Sequence, residues 1–413
     1  MNAPFPSATE EIATQTALTQ TALYPQESLQ AVKITQKQLF IGLPKERDMD
    51  ESRLVLTPEA TSILVRNGNR VCVETGAGEN AKFSDQAYSD AGAAIVYSAK
   101  EAFEADIVLK VEPPTDEEIQ YLKPGRTLIS ALQTAKLTKG YVEALGKRKV
   151  TALAFELIQD KVGGMPVVRA MSEIAGNTVM LIAAEYLNSA NKGRGIILGG
   201  ITGVPPTKVV VLGSGTVAEY AARTAIGMGA EIKVFDRYIY RLRRLKYAVG
   251  QQIHTSTLET DLLAEAISRA DVVVGAMRPE EGRSPIVVTN EMVAAMKRDS
   301  VIIDVSIDQG GCFETSEITT HQNPVFRKYD VIHYCVPNIG SRVAHTATMA
   351  LSHIFTPYLL EMGTLGGVEE MMFRNKWFMR GIYTYKGSVT NAHIAKKFNM
   401  PHKDLNLLMA ARL

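Results

Sequence analysis

The stretch 208–237, KVVVLGSGTVAEYAARTAIGMGAEIKVFDR, restricts what this chain can fold into more than any other. An apolar strand runs straight into Gly213-Ser-Gly215-Thr-Val-Ala218, a helical pattern follows at once, and a second strand ends in Asp236. Gly213 permits a tight turn, and Gly215 lets the backbone approach a pyrophosphate. Ala218, in the place of a third glycine, still allows close helix–strand packing. The amides at the start of the helix then face the phosphates. Asp236 accepts hydrogen bonds from the adenosine ribose hydroxyls and repels a 2′-phosphate, which favours NAD as cofactor; Arg237 beside it weakens that preference slightly. The expectation is a nicotinamide-dinucleotide-binding Rossmann fold over about 166–338. The basic run Arg241, Arg243, Arg244 and Lys246 reads as a solvated helix face, with Leu242 and Leu245 buried.

A chain of 413 residues is too long for one ordinary core. QLFIGLP, RVCVETG, ADIVLKVEP, RTLISAL and KVTALAFEL read as strands. They alternate with helical stretches such as TPEATSILVRNG, which Thr57 caps ahead of Pro58 and which Gly68 or Asn69 ends. Such alternation implies a parallel sheet with helices on its faces. KVVVLG, EIKVFD, DVVVGAM, SVIIDVS and DVIHYCV repeat the rhythm beyond a long buried helix that starts near Pro166. The predicted class is therefore α/β, with two Rossmann-like doubly wound domains, a cleft between them and a helical C-terminal segment. Expected boundaries are a flexible extension over 1–37, a substrate domain over 38–165, the dinucleotide domain over 166–340, and a segment over 341–413 that returns to the first domain.

With 45 basic and 44 acidic residues, the net charge of +1 gives no electrostatic case for nucleic acid or anionic lipid. No window offers ~18 uninterrupted apolar residues, which speaks against a membrane span. Residues 1–30 have neither the basic start nor the apolar run of a secretory signal. Cys72, Cys312 and Cys335 lie far apart and read as reduced thiols of a cytoplasmic protein. His321, His333, His345 and His353 show no metal-ligand spacing, and His345 reads as a core or cap histidine.

From about Leu39 to Thr364 the chain resembles the alanine dehydrogenases and the nucleotide-binding domains of proton-translocating transhydrogenases. IGLPKER, ESRLVLTPEA, VETGAG, VRAMSEIAGN, LGGITGVPP, IDQGGCFE and HYCVPNI carry the resemblance, which is closest to the alanine dehydrogenase branch. It implies oxidative deamination of L-alanine to pyruvate and ammonia with NAD, a small-molecule substrate in the cleft, and a homo-oligomer, usually a hexamer. Arg53 matches the arginine that holds the substrate carboxylate, a task suited to a planar guanidinium. Asp308 matches the acid–base carboxylate. Asn338 matches a residue near the nicotinamide carboxamide and Ser172 one that contacts the cofactor phosphates. Gly275-Ala276-Met277 is expected to line the nicotinamide ribose. Two positions depart from the family pattern: Glu112 stands where the family has its catalytic lysine, and Gln133 where it has a substrate-contacting histidine. Lys110, two residues before Glu112, is expected to face the same way and to compensate in part. These departures keep two other readings open, a related dehydrogenase of a different amino or 2-oxo acid and a noncatalytic dinucleotide sensor.

Overall fold

The computed structural model describes residues 36–134, 136–279 and 283–410, so nearly all of the expected N-terminal extension lies outside the described residues. Six strands come first: β1 (Phe40–Leu43), β2 (Arg70–Glu74), β3 (Ala94–Val96), β4 (Ile107–Leu109), β5 (Thr127–Ser130) and β6 (Thr151–Ala154). They pair in parallel in the order β3-β2-β1-β4-β5-β6. Seven more follow: β7 (Lys208–Leu212), β8 (Glu231–Asp236), β9 (His254–Thr257), β10 (Val272–Gly275), β11 (Val301–Asp304), β12 (Val325–Lys328) and β13 (Val331–Tyr334). They form a second sheet in the order β9-β8-β7-β10-β11-β13-β12, parallel except for β12 at its edge. The central strands are unbroken Val/Ile runs because both faces of such a sheet are covered. Both sheets reverse their order once, between β1 and β4 and between β7 and β10. Ligands bind outside the carboxyl ends of strands at such a switch point.

Helix α1 (Pro58–Arg66) starts as its sequence requires, with the Thr57 hydroxyl accepting from the Ala60 amide, and ends one or two residues earlier than expected, at a cap on Asn67. Helix α2 (Pro166–Leu187) is long and apolar enough by itself to cross a membrane. Here Val179, Met180, Ile182, Ala183 and Leu187 pack into the core of the second sheet. It lies on α3 (Thr216–Gly227) so closely that a Cβ on Gly176 would sit 2.5 Å from the Val217 carbonyl oxygen. The glycine of MSEIAG is thus a helix-crossing residue. After α4 (Ile239–Val249) and the rest of the second sheet, the chain enters α5 (Ala344–Leu365), whose Leu351, Phe355, Leu359 and Met362 belong to the core of the first sheet. The tail adds β14 (Ile382–Tyr385) and β15 (Ser388–Val389), an antiparallel hairpin laid along the free edge of β6. This hairpin and the edge strands β3, β9 and β12 have no counterpart in the sequence reading.

Candidate active site

Strand β7 ends at Gly213, whose φ of +101° and whose missing side chain are both needed: a Cβ there would lie 2.4 Å from the Ala276 carbonyl oxygen, across the switch point. Gly215 caps α3 without any side-chain hydrogen bond, and a Cβ on it would meet nothing within 4 Å. The helix start therefore offers unoccupied amides to a groove of about 720 Å³. Gly213, Gly215, Asp236, Ser172, Ala276 and Met277 all line it, so the observed residues fit a nicotinamide dinucleotide. Ala218 is fully buried on the inner face of α3, as close packing requires. Gly275 does not face the groove. It lies under it, where a Cβ would meet Cys312 Sγ at 2.6 Å and Asp304 Oδ1 at 2.8 Å. The basic run is divided: Leu242 and Leu245 are buried and Arg243 and Lys246 exposed, but Arg241 and Arg244 turn into the groove. The helical period of 3.6 places residues 241 and 244 on one face, which is the face toward the groove.

A second cavity of about 260 Å³ shares Val168, Ser172 and Val217 with the groove and continues it toward the first sheet. Arg53, Glu156, Asp308 and Asn338 line it. Arg53 gives its Nε and Nη2 to Glu51 at 2.8 and 2.6 Å and one Nη1 contact to Met171 Sδ at 3.4 Å. Among the described residues, two of the five N–H groups of this guanidinium are left over, enough to take a carboxylate. Burial disfavours the charge, yet the paired Glu51, and Glu112 and Glu46 beyond it, raise the Arg53 pKa. Asn338 joins the two sheets: its Nδ2 donates to Glu51 Oε2 at 2.6 Å and its amide donates to Asp308 Oδ1 at 3.3 Å. Asn338 reaches both because it sits in the left-handed region, at φ +59°. Asp308 opens to the cavity but is crowded by protein, which withdraws water and raises its carboxyl above the usual range. Its loop is shaped by the buried Asp304, which accepts from the Ser306 and Cys312 amides and the Ser316 hydroxyl at 3.0, 2.9 and 2.7 Å.

The carboxyl ends of the first sheet bring together three acids, of which sequence reasoning singled out only Glu112. Glu46 follows β1, Glu112 follows β4, and Glu156 follows β6. Glu156 Oε1 accepts from the Leu132 and Gln133 amides at 2.8 and 3.3 Å, which holds Gln133 at φ +47°. Glu156 Oε2 is buried with no partner. The two departures from the family pattern touch each other, Gln133 Nε2 donating to Glu112 Oε2. Lys110 does not compensate for Glu112. Strand β4 ends before it, and its ammonium lies 3.1 Å from Glu118 and 3.3 Å from Glu46, almost fully buried. Two carboxylates in contact hold a buried ammonium far more firmly than one carboxylate further off. His345, exposed at the start of α5, is stacked on Phe83 and bonded to the Ala81 carbonyl oxygen through Nδ1, so it ties the helix to that turn rather than lying in the core.

Burial, Glu51 and Glu46 push Glu112 up to about 7, against the pull of Arg53 and Lys136. A carboxyl that binds its proton more tightly in the folded state contributes stability below its ordinary value of 4.5 and loses that contribution as pH rises through about 7. Glu112→Gln is therefore expected to gain melting temperature relative to the wild type between pH 5 and pH 8. Parallel melting curves for the two proteins across that range would refute this electrostatic picture.

Comparison with known proteins follows the same outline. The family model described as "Alanine dehydrogenase/PNT, N-terminal domain" matches residues 42–175, and "Alanine dehydrogenase/PNT, C-terminal domain" matches 179–392. An alanine dehydrogenase of Mycolicibacterium smegmatis is 37% identical over 90% of this chain and its own full length. Alanine dehydrogenase 2 of Staphylococcus aureus is 38% identical over 88% of this chain and 98% of its own. Among solved structures, an L-alanine dehydrogenase superposes with a TM-score of 0.82 at 34% identity, covering 87% of this chain and 99% of its own. A transhydrogenase from Sinorhizobium meliloti does so with 0.73 at 25% identity, covering 86% of this chain and 99% of its own.

Proposed function

The chain belongs to the alanine dehydrogenase/PNT family, and from that premise we propose that it catalyses the oxidative deamination of L-alanine with NAD and water to pyruvate, ammonium, NADH and a proton, and the reverse. The observation that carries this reading is the continuity of the two cavities: the dinucleotide groove opens through Ser172 and Val217 into a chamber that holds Arg53, Asp308 and Asn338. The bound nicotinamide would supply the acceptor for the hydrogen leaving the substrate Cα with its electron pair. Arg53 holds the substrate carboxylate on its two remaining N–H groups and fixes the Cα in the chamber. Asp308, with its raised pKa, takes a proton from the water that displaces the nitrogen and returns one in the amination direction. Asn338 keeps Asp308 and the Arg53–Glu51 pair in register. Asp236 supports NAD through the ribose hydroxyls, and the three buried free thiols support a reducing, cytoplasmic setting. Exposed Ile197, Ile201, Val204 and Leu181 support the homo-oligomer that the family resemblance implies.

The Glu112–Gln133 hydrogen bond favours a second reading, in which the preferred substrate is another amino acid whose side chain brings a donor or a positive charge to Glu112. One assay separates the two. NADH formation at alkaline pH is followed with a panel of L-amino acids, and NADH consumption with 2-oxo acids plus ammonium. L-Alanine and pyruvate are expected to lead, with Asp308→Asn lowering kcat by about 10²–10⁴, the usual contribution of a positioned acid–base group. Turnover confined to other substrates would select the second reading. NADH binding without any turnover would leave only a sensor.

A further inference from the structure

The groove that starts at Gly213 carries more positive charge than a pyrophosphate calls for. Among the described residues its walls hold six arginines, Arg169, Arg237, Arg241, Arg244, Arg278 and Arg283, against one carboxylate, Asp236. Three of them are engaged elsewhere. Arg169 pairs with Glu173, Arg283 donates to the Gly310 carbonyl oxygen, and Arg244 donates to the Ser214 carbonyl oxygen at 2.6 Å with Glu219 3.6 Å away.

Arg237 and Arg241 stand at the Asp236 end, where the adenosine ribose of a bound dinucleotide lies. Arg237 is exposed. Arg241 is laid over the Tyr238 ring at 4.7 Å, and its Nε donates to the Tyr240 hydroxyl at 3.1 Å. Among the described residues its two Nη atoms have no hydrogen-bond partner, and a guanidinium fixed on an aromatic face is preorganised.

Asp236 is less of an obstacle to a further phosphate than its sequence position suggests. It is only 4% exposed. Its Oδ2 accepts from the Ser214 hydroxyl at 2.7 Å and its Oδ1 from the Tyr238 amide at 2.9 Å. The carboxylate braces the turn from below, and each oxygen has already committed a lone pair. An acid in that position repels a 2′-phosphate weakly compared with one that stands free in the groove.

We propose that the groove also accepts the 2′-phosphorylated dinucleotide, NADP(H), with the extra phosphate held by Arg237 and Arg241. This rests on the reading of the groove as a dinucleotide site. A phosphate monoester brings about −1.5 to −2 charges near neutral pH, and guanidinium groups meet it bidentately. The two arginines therefore offset Asp236 and hold the phosphate that NAD lacks.

The test is calorimetric titration of the full-length protein with NADH and with NADPH, repeated on the Arg237→Ala/Arg241→Ala double variant. The wild type is expected to bind NADPH within about ten-fold of NADH, and the double variant to lose at least ten-fold more affinity for NADPH than for NADH. Raising the salt concentration should weaken NADPH more than NADH. NADPH binding more than a hundred-fold weaker than NADH in the wild type overturns the proposal, as does an equal loss for both coenzymes in the variant. Failure of NADH itself to bind would instead bring down the reading of the groove. Melting curves show whether the double variant is folded, Arg237 being exposed and Arg241 half-buried.

Discussion

Gly213→Ala is expected to weaken NADH binding by at least 100-fold, about 2.7 kcal/mol. Two effects act on the same atom. Alanine at φ +101° leaves the allowed backbone regions, at ~1–3 kcal/mol for a non-glycine residue so placed. Its Cβ would also lie 2.4 Å from the Ala276 carbonyl oxygen, which is backbone and has no rotamer by which to withdraw. Relief requires the turn to move, and with it the uncapped amides of Thr216 and Val217 that are to face the pyrophosphate. Gly215→Ala is the internal control for the mechanism, since a Cβ there meets no protein atom and acts only by filling the groove. Titration calorimetry with melting curves checks the result. A Gly213→Ala protein that binds NADH within three-fold of wild type would show that the turn is not where the coenzyme is held.

Arg53→Met should be still more damaging, because one guanidinium answers to several acids. Glu51 is in direct contact with it, and Glu112 and Glu46 lie near enough to act on its charge. Removing one partner of a buried pair costs ~3–5 kcal/mol, so a melting-temperature loss of many degrees is expected. Arg53→Lys keeps the charge and separates stability from catalysis. An ammonium can satisfy Glu51 or hold a substrate carboxylate, but it cannot present the two parallel N–H groups that a second carboxylate needs. With Arg53→Lys the melting temperature should recover most of the loss, while kcat/KM for the amino acid stays down by about 10²–10³. Recovery of both together would mean that Arg53 is a structural ion-pair partner and nothing more.

What could be read from the sequence follows from how local each feature is. The dinucleotide turn is contiguous from Gly213 to Ala218, its acid closes the next strand, and its physics is carried by backbone and glycine. Arg53, Asp308 and Asn338 were visible through motif resemblance, yet the bond that unites them, from Asn338 to Glu51, spans 287 positions and has no local signature. Glu156 escaped notice for the same reason, as it looks like any acid after a strand until the Leu132 and Gln133 amides are seen to bind it. Lys110 and Glu112 do line one small cavity, but Lys110 cannot compensate because Glu46 and Glu118, far off in sequence or on the next helix, take its ammonium. Arg241 and Arg244 read in sequence as solvent-facing charges because amphipathic spacing distinguishes a buried side of a helix from an open one, but cannot tell open water from an open groove. The edge strands were missed because half-exposed segments such as HTST lack the apolar runs that mark central strands.

The hydroxyls along α5 have a consequence for how the protein is made. Ser341, just before the helix, and Thr348 and Ser352 within it receive the amides of Ser52, Leu54 and Thr57, nearly 300 residues earlier, and so hold the irregular segment that presents Arg53. The hairpin β14–β15 then covers β6. The nascent first sheet leaves the ribosome long before either arrives, with these amides unanswered and one strand edge bare. The segment around Arg53 is thus fixed only after α5 has been made, and translation halted before α5 leaves the cavity it lines unformed.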